Sequence, residues 1–144
     1  MKKIICMLLS AISVMSLLIL SGCSDFEFNP IGKWKFTDDI LYQNGEIIDH
    51  ATTKDLLDTI YVFEKSGTGY ISVDNRRSLE FTYDYDDSSI TLHFPDRNNT
   101  AETVDVLYNL SDDNTQMIRT ETEEADDGEG GTITYKEEYV ISRY

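Results

Sequence analysis

After its first 22 residues the sequence is built of short runs in which apolar and polar residues alternate. The clearest runs are 79–85, 90–94 and 104–110, and clusters of Asp, Asn, Ser and Gly separate them. A period of two is typical of strands with one buried face, and no stretch shows a sustained helical period of 3.6. The pattern therefore predicts an all-β domain.

The alternation predicts eight strands, with bounds at 32–36, 59–64, 70–73, 79–85, 90–94, 104–110, 115–122 and 132–144. One apolar stripe per strand needs a shared interior, and eight antiparallel strands can close on themselves so that no edge is left unpaired. We therefore expect an eight-stranded antiparallel up-and-down barrel. A β-sandwich is the alternative, because alternation alone does not demonstrate closure.

Two segments do not follow the alternation. Between the first two predicted strands, residues 53–58 could form a short helix with Thr52 or Thr53 as its N-cap. Before the last strand, Glu123–Gly131 forms a nine-residue stretch rich in acids and glycine, which we interpret as a loop. That loop is either a solvated connection or a site for a cation or a partner.

The first 22 residues have the features of a secretory signal. Two lysines precede an uncharged, mostly apolar run over 4–20, and the sequence Leu20-Ser21-Gly22-Cys23 follows. These four residues resemble the lipobox of bacterial lipoproteins. The resemblance implies that the chain is cut before Cys23 and that the Cys23 thiol carries diacylglycerol.

This interpretation divides the chain into a signal peptide over 1–22, an acidic tether over 23–30 and a barrel domain over 31–144. Two or three acyl chains give stable membrane anchoring. We therefore expect a protein of the cell envelope, at the outer membrane rather than the inner one. Acids directly after Cys23 resemble export signals of surface lipoproteins in Bacteroidota, so the periplasmic and surface faces both stay open.

Charge limits the choice of partner. The full chain has a formal charge of −15, and removal of residues 1–22 takes away Lys2 and Lys3 but no acid, which leaves −17. Binding of nucleic acid needs a basic face, so we exclude that class. An acidic protein attracts basic partners and is repelled by anionic membranes.

The residues that open and follow the first strand resemble a known family. Gly32-Lys33-Trp34 is similar to the Gly-x-Trp start of lipocalins and other calycins. Further similarities are an aromatic strand leading into a glycine turn (61–69), a tyrosine hairpin (81–92) and the turn Leu110-Ser111-Asp112. Their order resembles the lipocalin-like domain of bacterial lipoproteins, which is frequent in Bacteroidota.

The resemblance implies a calycin-like barrel in which a basic residue of the last strand packs over the first-strand tryptophan. Arg143 occupies that place here, so Gly32, Trp34 and Arg143 form the structural signature. A guanidinium over an indole is favourable by roughly 0.5–2 kcal/mol.

The interior phases of the predicted strands carry many aromatic residues. An eight-stranded barrel is either filled by its own side chains or holds one small ligand, and both remain open. The candidate ligand-binding residues of the interior are Phe36, Tyr61, Phe63, Phe81, Tyr83, Tyr85, Phe94 and Tyr108.

The sequence lacks a catalytic motif, so we expect no enzyme activity, no cofactor and no metal site. His50 has no visible partner, and His93 lies in the polar phase of its strand, facing solvent. The acids at 84–87 and 112–114 are typical of turns.

Two functions follow. The first is a membrane-anchored, non-enzymatic binding module for a small apolar or amphipathic ligand. The second is a protein-binding or inhibitory lipoprotein that acts on a basic partner such as lysozyme.

Overall fold

The computed structural model of the protein describes residues 27–95 and 103–144. The predicted signal peptide, residues 23–26 of the tether with Cys23, and most of the connection after the fifth predicted strand lie outside this part of the chain. No helix in the described ranges is long and apolar enough to cross a membrane.

The described residues form nine strands and no helix. They are β1 (Gly32–Gln43), β2 (Glu46–Thr52), β3 (Thr59–Phe63), β4 (Thr68–Val73), β5 (Arg76–Tyr85), β6 (Ser89–Pro95), β7 (Thr103–Leu110), β8 (Gln116–Asp126) and β9 (Thr132–Arg143). Consecutive strands from β3 to β9 pair antiparallel, and β1 pairs with both β3 and β9. Eight strands thus close into an antiparallel barrel, as predicted, and the alternative of a β-sandwich is rejected.

The ninth strand is β2, which forms a hairpin with the second half of β1. Asn44 and Gly45 make the turn with φ of 50° and 86°, the left-handed values that a two-residue hairpin requires and that Asn-Gly adopts at low cost. The β-branched Ile47 and Ile48 then favour an extended backbone.

The helix predicted over residues 53–58 is wrong. The amides of Asp55 and Leu56 both bond to the carbonyl of Thr52, and the Asp55 carboxylate accepts bonds from the Thr52 backbone and hydroxyl. This closes a single turn, because six residues cannot offset the cost of helix nucleation. The predicted loop over Glu123–Gly131 is also too long, because β8 continues to Asp126.

One end of the barrel is closed by the segment that precedes β1. Phe28 and Pro30, which the sequence analysis places in the tether, are buried there. The Trp34 indole donates a hydrogen bond of 2.7 Å from Nε1 to the Pro30 carbonyl, and the Phe28 ring lies 6.0 Å from the Trp34 ring. We call this the sealed end.

The guanidinium of Arg143 completes the sealed end. It lies over the Trp34 ring at 4.8 Å from the centroid, the arrangement that the calycin resemblance implies, and also donates to the Asn29 carbonyl. The first strand, the last strand and the preceding segment are thereby joined around one buried indole.

At the opposite end, four strands extend beyond the barrel wall. They are residues 38–43 of β1, all of β2, 120–126 of β8 and 132–138 of β9, in the order β2-β1-β9-β8. We call this four-stranded sheet the extension. It covers no other element among the described residues, and its side chains are half-buried or exposed.

Candidate functional site

Most of the predicted interior aromatics contact one another. Phe63 lies edge-on to Phe81 at 5.2 Å and to Tyr83 at 5.1 Å between ring centroids. Gly69 makes room for this cluster, because a Cβ at that position would lie 2.5 Å from the Phe81 ring and from the Val62 carbonyl. This part of the barrel is filled by its own side chains.

The interior tyrosines, of which Tyr83 and Tyr108 are buried and Tyr61 is half-buried, pair their hydroxyls inside the protein. Tyr83 donates to the Glu64 carbonyl at 2.7 Å, and the hydroxyls of Tyr61 and Tyr108 lie 3.5 Å apart. Burial raises the pKa of all three tyrosines above the usual range. They are therefore neutral polar groups of the core.

The remaining interior candidates lie nearer the surface. Phe36, Tyr61 and Phe94 are half-buried, with Phe36 leading into the extension. Tyr85 is exposed and lies at the sealed end, where its ring is edge-on to Phe28 at 5.8 Å. We call the end that carries Phe36 and the extension the open end.

The inner face of the barrel continues onto the extension. Along β9, Ile141 is buried in the core, and Tyr139, Glu137 and Tyr135 follow on the same face. On β1 an irregularity between Phe36 and Asp38 changes the phase. The same face consequently carries the apolar core at one end and polar residues at the other.

Cross-strand pairs show which side chains share this inner face, because directly opposed residues project to the same side. Three rows cross β1, β9 and β8. They are Asp39–Tyr139–Arg119, Leu41–Glu137–Glu121 and Gln43–Tyr135–Glu123, and Asp49 of β2 lies opposite Leu41. We call the surface formed by Asp39, Asp49, Glu121, Glu123 and Glu137 the acidic face.

Negative charge is crowded on the acidic face. The pKa of Asp39 is raised, first by burial and then by the neighbouring Glu137 and Asp49 carboxylates. The pKa of the Tyr139 hydroxyl is also raised, by burial and by Glu137 above all. Burial and the neighbouring carboxylates thus both make a further negative charge unfavourable here.

A groove of about 650 Å³ lies along the acidic face. Leu41, Tyr135 and Thr122 line it together with Glu121, Glu123 and Glu137. The groove thus combines carboxylates with an aromatic ring and an aliphatic side chain. This composition fits a partner that brings both positive charge and apolar surface.

On the opposite face of the extension, Lys136 and His50 each lie beside a carboxylate, and Glu124 and Asp126 are further acids of that face. Lys136 lies 3.0 Å from Glu138 and 3.9 Å from the centre of the Tyr42 ring, and His50 lies 2.9 Å from Asp38. On the acidic face, Arg119 pairs with Glu121 and is the one cation in the three described rows. Both faces are acidic, but the acidic face holds only one of its five carboxylates in an ion pair, whereas the opposite face holds Asp38 and Glu138 in such pairs.

The wall of the barrel is weakly joined between β7 and β8. Within the described ranges these strands pair at only two positions, Asn109 with Ile118 and Leu110 with Met117, near the sealed end. Residues 103–108 of β7 and 119–126 of β8 continue towards the open end without pairing to each other. We call this stretch of the wall, in which 103–108 of β7 and 119–126 of β8 do not pair with each other, the β7–β8 cleft.

The histidines lie outside the acidic face. The ring of His93 bridges two carboxylates on the outer wall, with Nδ1 2.7 Å from Asp105 and Nε2 3.2 Å from Asp84. These hydrogen bonds, that of Asp105 foremost, raise the pKa of His93. His93 therefore joins β5, β6 and β7 from outside.

The acids outside the extension organise turns. Asp86 accepts hydrogen bonds from the amides of Ser88 and Ser89. Asp113 accepts them from the Ser111 hydroxyl and from the amide and hydroxyl of Thr115, which lowers the Asp113 pKa to about 2. No set of three or more metal-ligating side chains occurs among the residues that the structure describes.

Sequence reasoning missed the acidic face and the cleft. It treated Asp49 as part of a connection and Glu123 as part of a loop, whereas both lie on strands. The sequence contains one signal for strand β2, the Asn44-Gly45 pair, because Asn-Gly between β-prone segments is typical of a hairpin turn.

Comparison with known proteins adds no assignment. No protein family matches the sequence, and neither the curated proteins nor the solved structures gave a match. The barrel itself is compatible with a lipocalin-like fold.

Proposed function

We propose that this chain is a lipid-anchored, non-enzymatic binding module of the cell envelope whose partner is a basic protein. The observation that carries the proposal is the acidic face, an unpartnered sheet surface with five carboxylates and one arginine. Carboxylates crowded in this way oppose folding, so their presence on a face that no described element covers is explained by a partner that neutralises them.

The lipobox-like sequence supports the anchoring. Five residue steps separate Cys23 from Phe28, and a fully extended chain of this length spans at most about 18 Å. An anchor at Cys23 would therefore hold the sealed end close to the bilayer. The acidic face lies at the other end of the barrel, where a protein partner has access to it.

Salt-dependent association tests the proposed function. The full-length protein in detergent is titrated with lysozyme as a basic probe, and with an acidic protein of similar size as the control. We expect lysozyme to bind and the acidic protein not to bind. The affinity for lysozyme should fall as the ionic strength rises, because salt screens the interaction between charges. Binding that is absent or indifferent to salt contradicts the proposal.

A small amphipathic ligand is the second candidate, and the half-buried Phe36, Tyr61 and Phe94 favour it. These rings lie where the inner face leaves the packed core, so an apolar group could contact them while a cationic group faces the carboxylates. Native mass spectrometry of the purified protein tests this candidate. A co-purified mass of a few hundred daltons supports it, and a bare protein together with lysozyme binding rejects it.

A further inference from the structure

We propose that the β7–β8 cleft receives one extended, basic segment of the partner, which completes the barrel wall as an inserted strand. This inference rests on the proposed function and adds where and in what conformation the partner binds. It is carried by two strand edges that do not pair with each other among the described residues, and by the charge along one of them.

The cleft offers backbone groups on both sides. Beyond the pair of Asn109 with Ile118, eight residues of β8 and six of β7 continue as strand, with β9 and β6 on their far sides. Half of the amides and carbonyls of such strands point towards the unpaired edge. A segment between the edges would run antiparallel to one of them and parallel to the other.

The β7 edge is also apolar to an unusual degree for an exposed strand. Val104 is 56% exposed and Leu107 is 53% exposed, and they lie on opposite faces of the strand. A neighbouring strand would cover both side chains. This is the pattern of peptide recognition in which the backbone supplies affinity and alternate side chains supply specificity.

The charge of the β8 edge indicates what kind of segment would bind in the cleft. The β8 edge carries Glu121, Glu123, Glu124 and Asp126, next to the groove along the acidic face. A second copy of this chain would place acids opposite acids, which is destabilising. A segment in which lysine or arginine alternates with an apolar residue would place its cations beside these carboxylates.

The test uses a short synthetic peptide of alternating lysine and valine, measured on the full-length protein in detergent. A matched peptide carries methyl groups on every second backbone amide, so its charge is the same but it cannot complete a strand ladder. We expect the methylated peptide to bind at least about tenfold more weakly, equivalent to 1.4 kcal/mol. Equal affinity for the two peptides overturns the inserted strand.

Amide hydrogen exchange locates the bound peptide. We expect slower exchange over 103–108 and 119–126 in the complex, and unchanged exchange over the β2 edge. Protection of β2 instead, or peptide-independent protection caused by dimerisation or by residues 96–102 of the chain itself, overturns the assignment to the cleft.

Charge reversal separates this inference from the proposed function. The variant with Glu124→Lys and Asp126→Lys, which lie on the β8 edge but outside the acidic face, is compared with a control that reverses Asp87 and Asp112 to lysine. Peptide binding should fall at least tenfold more in the first variant. If both variants bind the peptide equally while lysozyme still binds the native protein in a salt-dependent way, the assignment to the cleft is wrong and the proposed function stands. If neither the peptide nor lysozyme binds the native protein, both proposals are wrong.

Discussion

Phe36 and Asp39 lie on the same face of β1 although they are three positions apart along the chain. Phe36 is opposite Ile141 and Asp39 is opposite Tyr139, and these two partners are themselves two residues apart on one face of β9. The irregularity at Thr37 produces this arrangement, and the Thr37 hydroxyl is held 3.0 Å from that of Ser142. Without the extra residue Asp39 would face the other way.

The crowding around Asp39 should make its charge unfavourable to folding. Burial and the neighbouring Glu137 raise the Asp39 pKa, so stability should increase as the pH falls through that raised value. At neutral pH, we expect Asp39→Asn to raise the free energy of unfolding and to weaken the binding of lysozyme. Urea denaturation and a binding titration check the two effects, and a variant that loses stability rules out the electrostatic explanation.

His93 should stabilise the barrel in a pH-dependent manner. The hydrogen bonds that its ring donates, to Asp105 first and also to Asp84, raise its pKa. This contribution is fully present below the unfolded value of about 6.5 and is lost as the pH rises through the folded value. His93→Gln should therefore lower stability more at about pH 5.5 than at about pH 8.5. Parallel stability curves for the two proteins would show that the bridge has no energetic role.

Gly69 should be needed for the packing of the aromatic core. Its Cβ in Gly69→Ala would lie 2.5 Å from both the Phe81 ring and the Val62 carbonyl, and overpacking of this kind costs about 1–3 kcal/mol. Urea denaturation measures the loss. Ser78→Ala, at an exposed position of β5, is the control and should change stability by less than about 0.5 kcal/mol.

The stability of the sealed end should depend more on Trp34 than on any one residue that contacts it. Trp34→Ala should cost about 3–5 kcal/mol, whereas Arg143→Ala should cost about 0.5–2 kcal/mol by removing the cation from the ring. Chemical denaturation of both variants, with Lys65→Ala as a surface control, gives the comparison. An Arg143 variant as unstable as the Trp34 variant would mean that the arginine does more than cover the indole.

Much of the barrel could be predicted from the sequence, because alternation encodes which face of a strand is buried. Residues such as Ile90, Leu92 and Tyr108 are buried as their phase indicates. The acidic face could not be predicted, since its strands bury neither side and alternation loses its meaning there. Asp49 and Glu123 read as loop residues because polar strands and polar loops have similar composition.

The register irregularity at Thr37 could not be predicted from the sequence, for a related reason. One extra residue in a strand leaves no mark in composition, and the phase of Asp39 depends on pairing with β9, about a hundred residues away in the chain. The weak junction of β7 and β8 is likewise a property of the closed barrel as a whole. Both features lie where the candidate site is.

Neutralising the acidic face without touching the cleft tests the central claim most directly. The variant combines Asp39→Asn, Asp49→Asn and Glu137→Gln, and the control combines Asp87→Asn, Asp112→Asn and Glu129→Gln with the same change of net charge. We expect the first variant to bind lysozyme at least about tenfold more weakly than the control at low ionic strength. Equal affinity of the two variants would show that net charge alone attracts basic proteins, and would contradict a binding site on this face.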